Sequence, residues 1–344
     1  MTAPAAPAQL AAGLATALGR ALGEPVRVRS LVRLKGGYSR EMWSFDVHLA
    51  AGSRALILCA DTPTGVVGSD DSLSRVEEYR LLAEVRATGL PVPSVLCAGD
   101  ADDVLGRPYL VMERVDGTTA VGPLLRDPRY IRRHDQFGRE MSEILAAIHT
   151  LTPRCFSAGG EDAAGREVAR WARAVAAVPE ARTPAVLRAV RWLERHEPRR
   201  PDRVALVHGD YRTGNLMYDP DGIRAVLDWE MAHLGDPLED VAFAQLVCWR
   251  MGTDRVGGLV PVDRWLTLYE QAAQRAVDAD SLRFWEVLAA VKMAALTVRA
   301  GGRLPPGPER DLLRRLFAQL DADLRDRLLP GNRRDRGAPA VSGL

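Results

Sequence analysis

One stretch, residues 204–230, constrains the fold of this chain more than any other, because its polar residues lie between short apolar runs. Its first four residues are typical of a buried strand, and they lead into a polar loop with Asp210, Arg212 and Asn215. Two further apolar runs surround a Pro-Asp-Gly sequence, a pattern that predicts a β-hairpin. Because the two ends of a hairpin meet, Asn215 and Asp228 are predicted to be neighbours, with Asp210 nearby.

The side chains of this stretch suit the transfer of a phosphoryl group. Mg²⁺ accepts amide and carboxylate oxygens together with phosphate oxygens, which fits Asn215 and Asp228. A carboxylate such as Asp210 can accept a proton from a hydroxyl, and a guanidinium such as Arg212 can balance phosphoryl charge. The Asp-x-x-x-x-Asn spacing followed by a later Asp is that of kinase catalytic loops. Any one of these residues alone would more often form a turn or a cap, but four together favour catalysis.

Three runs, at 208–215, 227–230 and 235–240, resemble the motifs of the aminoglycoside phosphotransferase-type kinases. They are most similar to the branch related to kinase domains fused to acyl-CoA dehydrogenases. The resemblance extends from about residue 31 to about residue 303. The third run follows the second almost at once, so the long activation segment of protein kinases is missing, as in small-molecule kinases of this group.

The resemblance implies an α+β, protein-kinase-like fold with two lobes. The N-lobe is expected to be an antiparallel sheet with one packed helix, and the C-lobe to be mainly helical. The expected boundaries are an N-terminal helix or extension at 1–25, a nucleotide-binding N-lobe at 26–115, a C-lobe with catalytic loop and acceptor site at 116–328, and a disordered tail at 329–344. Leucines at every fourth position from Leu10 to Leu22 predict a helix that shields the N-lobe sheet or, as a second interpretation, contacts a partner subunit.

The implied reaction is transfer of the γ-phosphoryl group of Mg·ATP to a hydroxyl of a small-molecule acceptor. A hydroxyacyl thioester-like metabolite is the first expectation, and an aminoglycoside or other sugar-like compound is the second. Asp210 would be the catalytic base, Arg212 would contact the phosphate, and Asn215 and Asp228 would bind the metal. The residues expected to contact ATP are those of a glycine-rich loop, an acidic helix residue and the hinge backbone: Lys35, Gly36, Gly37, Ser39, Glu78, Glu113 and Val115.

One position departs from the resembled family. The third strand should end with a Lys or Arg that reaches the nucleotide phosphates, but Cys59, or Leu58 in a shifted register, occupies this place. Glu78 matches the acidic residue that pairs with this base in the resembled family. Another basic residue could substitute, with Lys35, Arg40 and Arg54 as candidates; alternatively, the nucleotide is held weakly and transfer is slow. A third interpretation is a kinase-shaped binding protein that has lost the reaction. Substitution or residual activity is favoured over the third.

Two carboxylates follow the hairpin. The resemblance implies that Asp236 braces the catalytic loop, and Asp240 is interpreted as an ordinary helix cap. The pair of His208 and Asp210 also permits a metal-dependent hydrolase. That alternative is weaker, because such centres need more clustered His and Asp ligands than this sequence offers.

Composition excludes several other classes of protein. With 46 basic and 45 acidic residues, the charge gives no indication of binding to nucleic acid or to an anionic membrane. The four cysteines are far apart, which predicts neither a zinc site nor a disulfide framework and fits a reducing cytoplasmic setting. We find no signal-peptide pattern and no apolar run of membrane-spanning length.

Overall fold

The computed structural model describes residues 7–34, 40–50, 52–62, 72–156, 162–196, 198 and 204–329. Its N-terminal part is a sheet with two helices, as predicted. These elements are α1 (Pro7–Leu22), β1 (Arg27–Arg33), β2 (Arg40–Leu49), β3 (Gly52–Asp61), α2 (Arg75–Ala87), β4 (Val95–Gly99) and β5 (Tyr109–Glu113). The strands are antiparallel in the order β1-β2-β3-β5-β4. Of the predicted tail at 329–344, residues 330–344 lie outside the described residues.

Successive side chains of β3 point to opposite faces of the sheet, and each face packs against one helix. Leu56 and Leu58 are buried in a cluster with the leucines of α1, so α1 covers the outer face as the preferred interpretation stated. Cys59 points the other way, into the core that α2 shares with the rest of the protein. Helix α2 begins at a capping box, in which Ser74 accepts from the Glu77 N–H and the Glu77 side chain accepts in return.

The remainder of the chain is mainly helical. Its helices are α3 (Val121–Arg126), α4 (Pro128–Ile131), α5 (His134–Ile148), α6 (Ala163–Ala176), α7 (Pro184–Leu193), α8 (Leu238–Ala244), α9 (Val262–Ala273), α10 (Ala279–Arg303) and α11 (Pro308–Arg327). Short strands form three two-stranded ladders: β6 (Ala205–Val207) with β9 (His233–Gly235), β7 (Leu216–Asp219) with β8 (Gly222–Val226), and β10 (Arg255–Val256) with β11 (Val260–Pro261). No helix in the described ranges is long and apolar enough to cross a membrane.

The hairpin of β7 and β8 confirms that Asn215 and Asp228 are neighbours. Leu216 is opposite Val226, and the Leu227 N–H donates to the Asn215 carbonyl at 2.9 Å. The first residue after this rung is Asp228. Both predicted metal ligands therefore lie at the open end of one hairpin.

The apolar run at 241–251 predicts one continuous helix, and this prediction is wrong in its second half. Helix α8 ends at Ala244, and Leu246 adopts an extended backbone before a short 3₁₀ turn, Val247–Trp249. The Arg250 side chain donates to the Gln245 carbonyl and so satisfies an acceptor that a continued helix would have used. The break brings Trp249 to the catalytic loop.

Candidate active site

The catalytic loop holds its polar side chains through their mutual contacts. The Asn215 amide donates to the Asp210 carboxylate at 2.7 Å and to the Asp210 carbonyl at 2.9 Å. Arg212 donates to the other Asp210 oxygen at 3.1 Å, and its guanidinium lies 4.5 Å from the centre of the Trp249 ring. The Asn215 amide oxygen accepts no hydrogen bond from a described residue, so it remains available for a cation.

Asp240 braces this loop. The sequence interpretation assigned the bracing to Asp236 and an ordinary capping role to Asp240, and it was wrong for both residues. Asp240 is fully buried and accepts from the N–H groups of His208 and Gly209 at 2.7 and 2.8 Å. Burial would raise the pKa of Asp240, but the hydrogen bond and charge of His149 hold it below its ordinary value. Asp236 instead caps α8 through the Leu238 N–H at 2.9 Å and accepts from a tryptophan on α10.

Gly209 is required by the path of the loop. Its φ is +80°, a conformation that side chains with a Cβ rarely adopt. A Cβ added here would lie 2.5 Å from the Met231 carbonyl oxygen, which is backbone and cannot move aside. The glycine between His208 and Asp210 therefore lets the loop pass against the segment that follows the hairpin.

His208 has a structural role. Its Nδ1 accepts from the Asp210 N–H at 3.1 Å, and its Nε2 donates to the Leu227 carbonyl at 3.0 Å. The side chain is fully buried and does not line the cleft, and both of its ring nitrogens are used by backbone groups. This removes the metal ligand on which the hydrolase alternative depended.

A buried ion-pair cluster supports the loop from behind. Lys292, on α10, donates to the Gly209 carbonyl at 2.5 Å and to Glu239 at 3.1 Å. Glu239 also contacts His233 at 3.1 Å, and Glu167 completes a possible set of metal ligands. Burial would lower the pKa of His233, but Glu239 raises it to about 9, so the imidazole keeps its proton at neutral pH. The cluster is therefore an ion-pair network.

The second metal-ligand candidate has an unusual backbone. Asp228 lies in the left-handed region with φ +68° and ψ +59°, which Asp and Asn tolerate better than other residues with a Cβ. Its side chain remains 38% exposed to the cleft. This backbone conformation leaves the carboxylate at the wall of the cleft, as a ligand for a shared ion requires.

Opposite the loop, carboxylates and guanidinium groups form a second cluster. Arg40 contacts Asp228 at 3.1 Å and Glu78 at 3.7 Å, and it also pairs with Glu230. Burial alone would lower the pKa of Arg40, but these carboxylates raise it well above its ordinary value. Arg75 joins the cluster by pairing with Glu78 and with Asp61. Glu78, the predicted acidic partner, thus contacts two arginines.

The other residues predicted to contact ATP have no observed link to the cleft. Lys35, Gly36, Gly37 and Ser39 lie outside the described residues. Glu113 is exposed at the end of β5, where its N–H already donates to the Ser94 carbonyl at 2.8 Å. Val115 follows with an N–H that bonds to no described residue. Their contact with adenine stays a prediction.

A single cleft of about 580 Å³ brings both clusters together. The catalytic loop, the hairpin end and Arg40 line it, together with Met42 of β2 and Met112 of β5. The side formed by α10, α11 and the turn after α8 is apolar except for Thr297. Its lining residues are Trp249, Met293, Leu296, Thr297, Ala300, Leu312, Leu313 and Leu316.

This fold, with a kinase-type loop and a hairpin aspartate around one cleft, defines the class of small-molecule kinases. The chain belongs to the phosphotransferase enzyme family, whose profile matches residues 34–285. Acyl-CoA dehydrogenase family member 10 of Mus musculus is 31% identical over 205 residues, which cover 58% of this chain and 19% of that protein. Viomycin phosphotransferase of Streptomyces vinaceus is 25% identical over 210 residues, which cover 57% of this chain and 68% of that protein.

Solved structures confirm the predicted fold. A thermostable mutant of aminoglycoside phosphotransferase APH(4)-Ia, in a ternary complex with AMP-PNP and hygromycin B, matches with a TM-score of 0.60 at 19% identity. The match covers 91% of this chain and 98% of that chain. At this level of identity the likeness establishes the kinase-like α+β fold alone.

Proposed function

We propose that this protein transfers the γ-phosphoryl group of Mg·ATP to a hydroxyl of a small molecule. The observation that carries the proposal is the convergence of Asp210, Asn215, Asp228 and Arg40 on one cleft. The donor set fits a divalent cation. Four carboxylates in the Arg40 cluster face only two guanidinium groups, and the free Asn215 oxygen adds a neutral ligand.

Each residue has a definite task in this proposal. Bound Mg·ATP supplies the phosphoryl group, which leaves ADP when the acceptor oxygen forms its bond to phosphorus. Asp210, held by Asn215 and Arg212, accepts the proton of the acceptor hydroxyl. Arg212 balances the charge of the phosphoryl group, and its stacking on Trp249 limits its motion. Asn215 and Asp228 hold the metal.

The apolar side of the cleft favours an acceptor with an apolar body. Among the described residues that line the cleft, the carboxylates are Glu78, Asp210, Asp228 and Glu230, all beside the catalytic loop or Arg40. A polycationic aminoglycoside would need further carboxylates along its length, because charges removed from water require opposite charges. An acyl chain, in contrast, gains free energy from contact with Met293, Leu296 and their neighbours. We therefore place a hydroxyacyl compound before an aminoglycoside.

An acceptor screen tests this choice. We expect hydroxyacyl thioesters to stimulate ADP release by at least about tenfold over the rate without acceptor, and aminoglycosides to leave the rate unchanged. Leu296→Asp, which adds a charge to the apolar wall, should raise the KM for the acyl acceptor and spare the KM for ATP. Faster turnover with an aminoglycoside than with any acyl compound would reverse the preference.

The metal assignment is tested by calorimetry. We expect Mg²⁺ to strengthen ATP binding to the wild type and to have little effect on Asp228→Asn, a variant that tolerates the same left-handed backbone. The expected loss of Mg·ATP affinity is about 10- to 100-fold. Absence of binding to the wild type at millimolar Mg·ATP would refute the proposed function and favour the kinase-shaped binding protein.

A further inference from the structure

The end of β3 lacks the basic residue that the resembled family uses to contact phosphates. Cys59 occupies the position and is fully buried. Burial raises the pKa of its thiol to about 11, so it carries no charge at neutral pH. If the protein binds ATP as proposed, a cation from another element must serve the phosphates.

The register of β2 against β3 places Arg40 next to Cys59. In the antiparallel pair of β2 and β3, Met42 is opposite Cys59 and Arg40 is opposite Asp61. Opposed residues share a face of the sheet, and so do residues two apart on a strand. Arg40 is therefore the diagonal neighbour of Cys59 on the face toward the cleft, and its Nη1 lies 3.8 Å from the Cys59 sulfur.

The contacts of Arg40 are those of a phosphate-binding side chain. It pairs with Glu78 of α2, the acidic residue expected to hold the missing base, and with the proposed metal ligand Asp228. Its side chain is 9% exposed and lines the cleft, and its Nε has no hydrogen-bond partner among the residues that the structure describes. A guanidinium at the wall of the cleft has five N–H donors in a planar fork, so it can bind a phosphate oxygen while it keeps contact with its carboxylate partners.

We propose that Arg40, on β2, contacts the nucleotide phosphates and thereby replaces the basic residue missing at Cys59. This inference rests on the proposed function. The other described candidates fit less well. Arg54 is exposed at the opposite end of β3, where it pairs with Val47, and Arg75 is absent from the residues that line the cleft.

The test compares nucleotide binding by calorimetry in the presence of Mg²⁺. Arg40→Met is expected to weaken ATP binding about 10- to 100-fold while adenosine, which has no phosphate, binds within about threefold of the wild type. Adding Cys59→Lys to Arg40→Met returns a cation to the same carboxylates and should recover at least about tenfold of the loss. Arg107→Met is the matched control, because Arg107 pairs with Glu41 of β2 but does not line the cleft.

The outcomes separate this inference from the proposed function. If the wild type binds Mg·ATP and folded Arg40→Met binds it equally well, or loses ATP and adenosine to the same extent, Arg40 is only structural and the inference fails alone. If the wild type does not bind Mg·ATP, both fail. Should Arg40→Met not fold, Arg40→Lys decides, with about a three- to tenfold loss for ATP and none for adenosine expected; equal affinity for ATP would overturn the inference.

Discussion

Replacement of Asp210 by asparagine is expected to lower kcat by about 10²- to 10⁴-fold, the usual contribution of a positioned general base. Asparagine keeps the size of the side chain and one of the two oxygens that accept from Arg212 and Asn215, but it cannot accept the hydroxyl proton. ATP affinity should stay within about threefold of the wild type, because Asp210 is proposed to act on the acceptor. Steady-state kinetics with the acceptor found in the screen, together with ATP calorimetry, measures both effects.

Asp221→Asn is the matched control for this prediction. Asp221 lies on the turn of the same hairpin region, its side chain is 78% exposed, and it does not line the cleft. We expect its kcat to equal that of the wild type within about twofold. A loss of less than about tenfold in Asp210→Asn would contradict the assignment of the base and would leave positioning and charge as the main sources of catalysis.

The sequence predicted the part of the site that local structure determines. Asn215 and Asp228 are joined by one hairpin, and the Pro-Asp-Gly turn is enough to bring its ends together. Asp210 and Arg212 are within the same loop. Their mutual proximity follows from a few adjacent residues, so no knowledge of distant packing was needed.

The other half of the site depends on register and packing. Arg40 meets Glu78 only because Met42 is opposite Cys59, and a shift of one residue between β2 and β3 would have turned Arg40 to the outer face. The sequence offered Arg40 as one of three candidates but could not choose among them. Asp236 and Asp240 raised a similar difficulty, because the side of α8 that faces the loop is set by its packing against α10.

Lys292 was missed, although the sequence contains a signal for it. The chain has 46 basic residues, of which Lys35 and Lys292 are the only lysines, and Lys292 interrupts an apolar helix. A coding bias toward arginine makes such a lysine informative, because a buried site that accepts a compact ammonium does not accept a planar guanidinium equally well. Its contact, Gly209, is 83 residues away in sequence, which no local pattern indicates.

Replacement of Lys292 by methionine is expected to lower the free energy of unfolding by about 3–5 kcal/mol, as removal of one partner from a buried ion pair usually does. The Lys292 side chain is 2% exposed, and its loss leaves the Gly209 carbonyl without its donor and leaves Glu239 with His233 as its remaining ion partner. Urea denaturation measures the change. The control is Arg325→Met, which removes a cation whose side chain is 63% exposed and should cost less than about 1 kcal/mol.

A double variant distinguishes a charge effect from a cavity effect. Glu239→Gln removes the buried charge that loses one of its ion partners in Lys292→Met, so the double variant should be more stable than the sum of the two single losses predicts, by at least about 1 kcal/mol. Simple additivity would mean that Lys292 acts mainly by filling space between α10 and the loop. A cost below about 1 kcal/mol for Lys292→Met itself would contradict both interpretations, because methionine would then support the Gly209 loop as well as the native ammonium does.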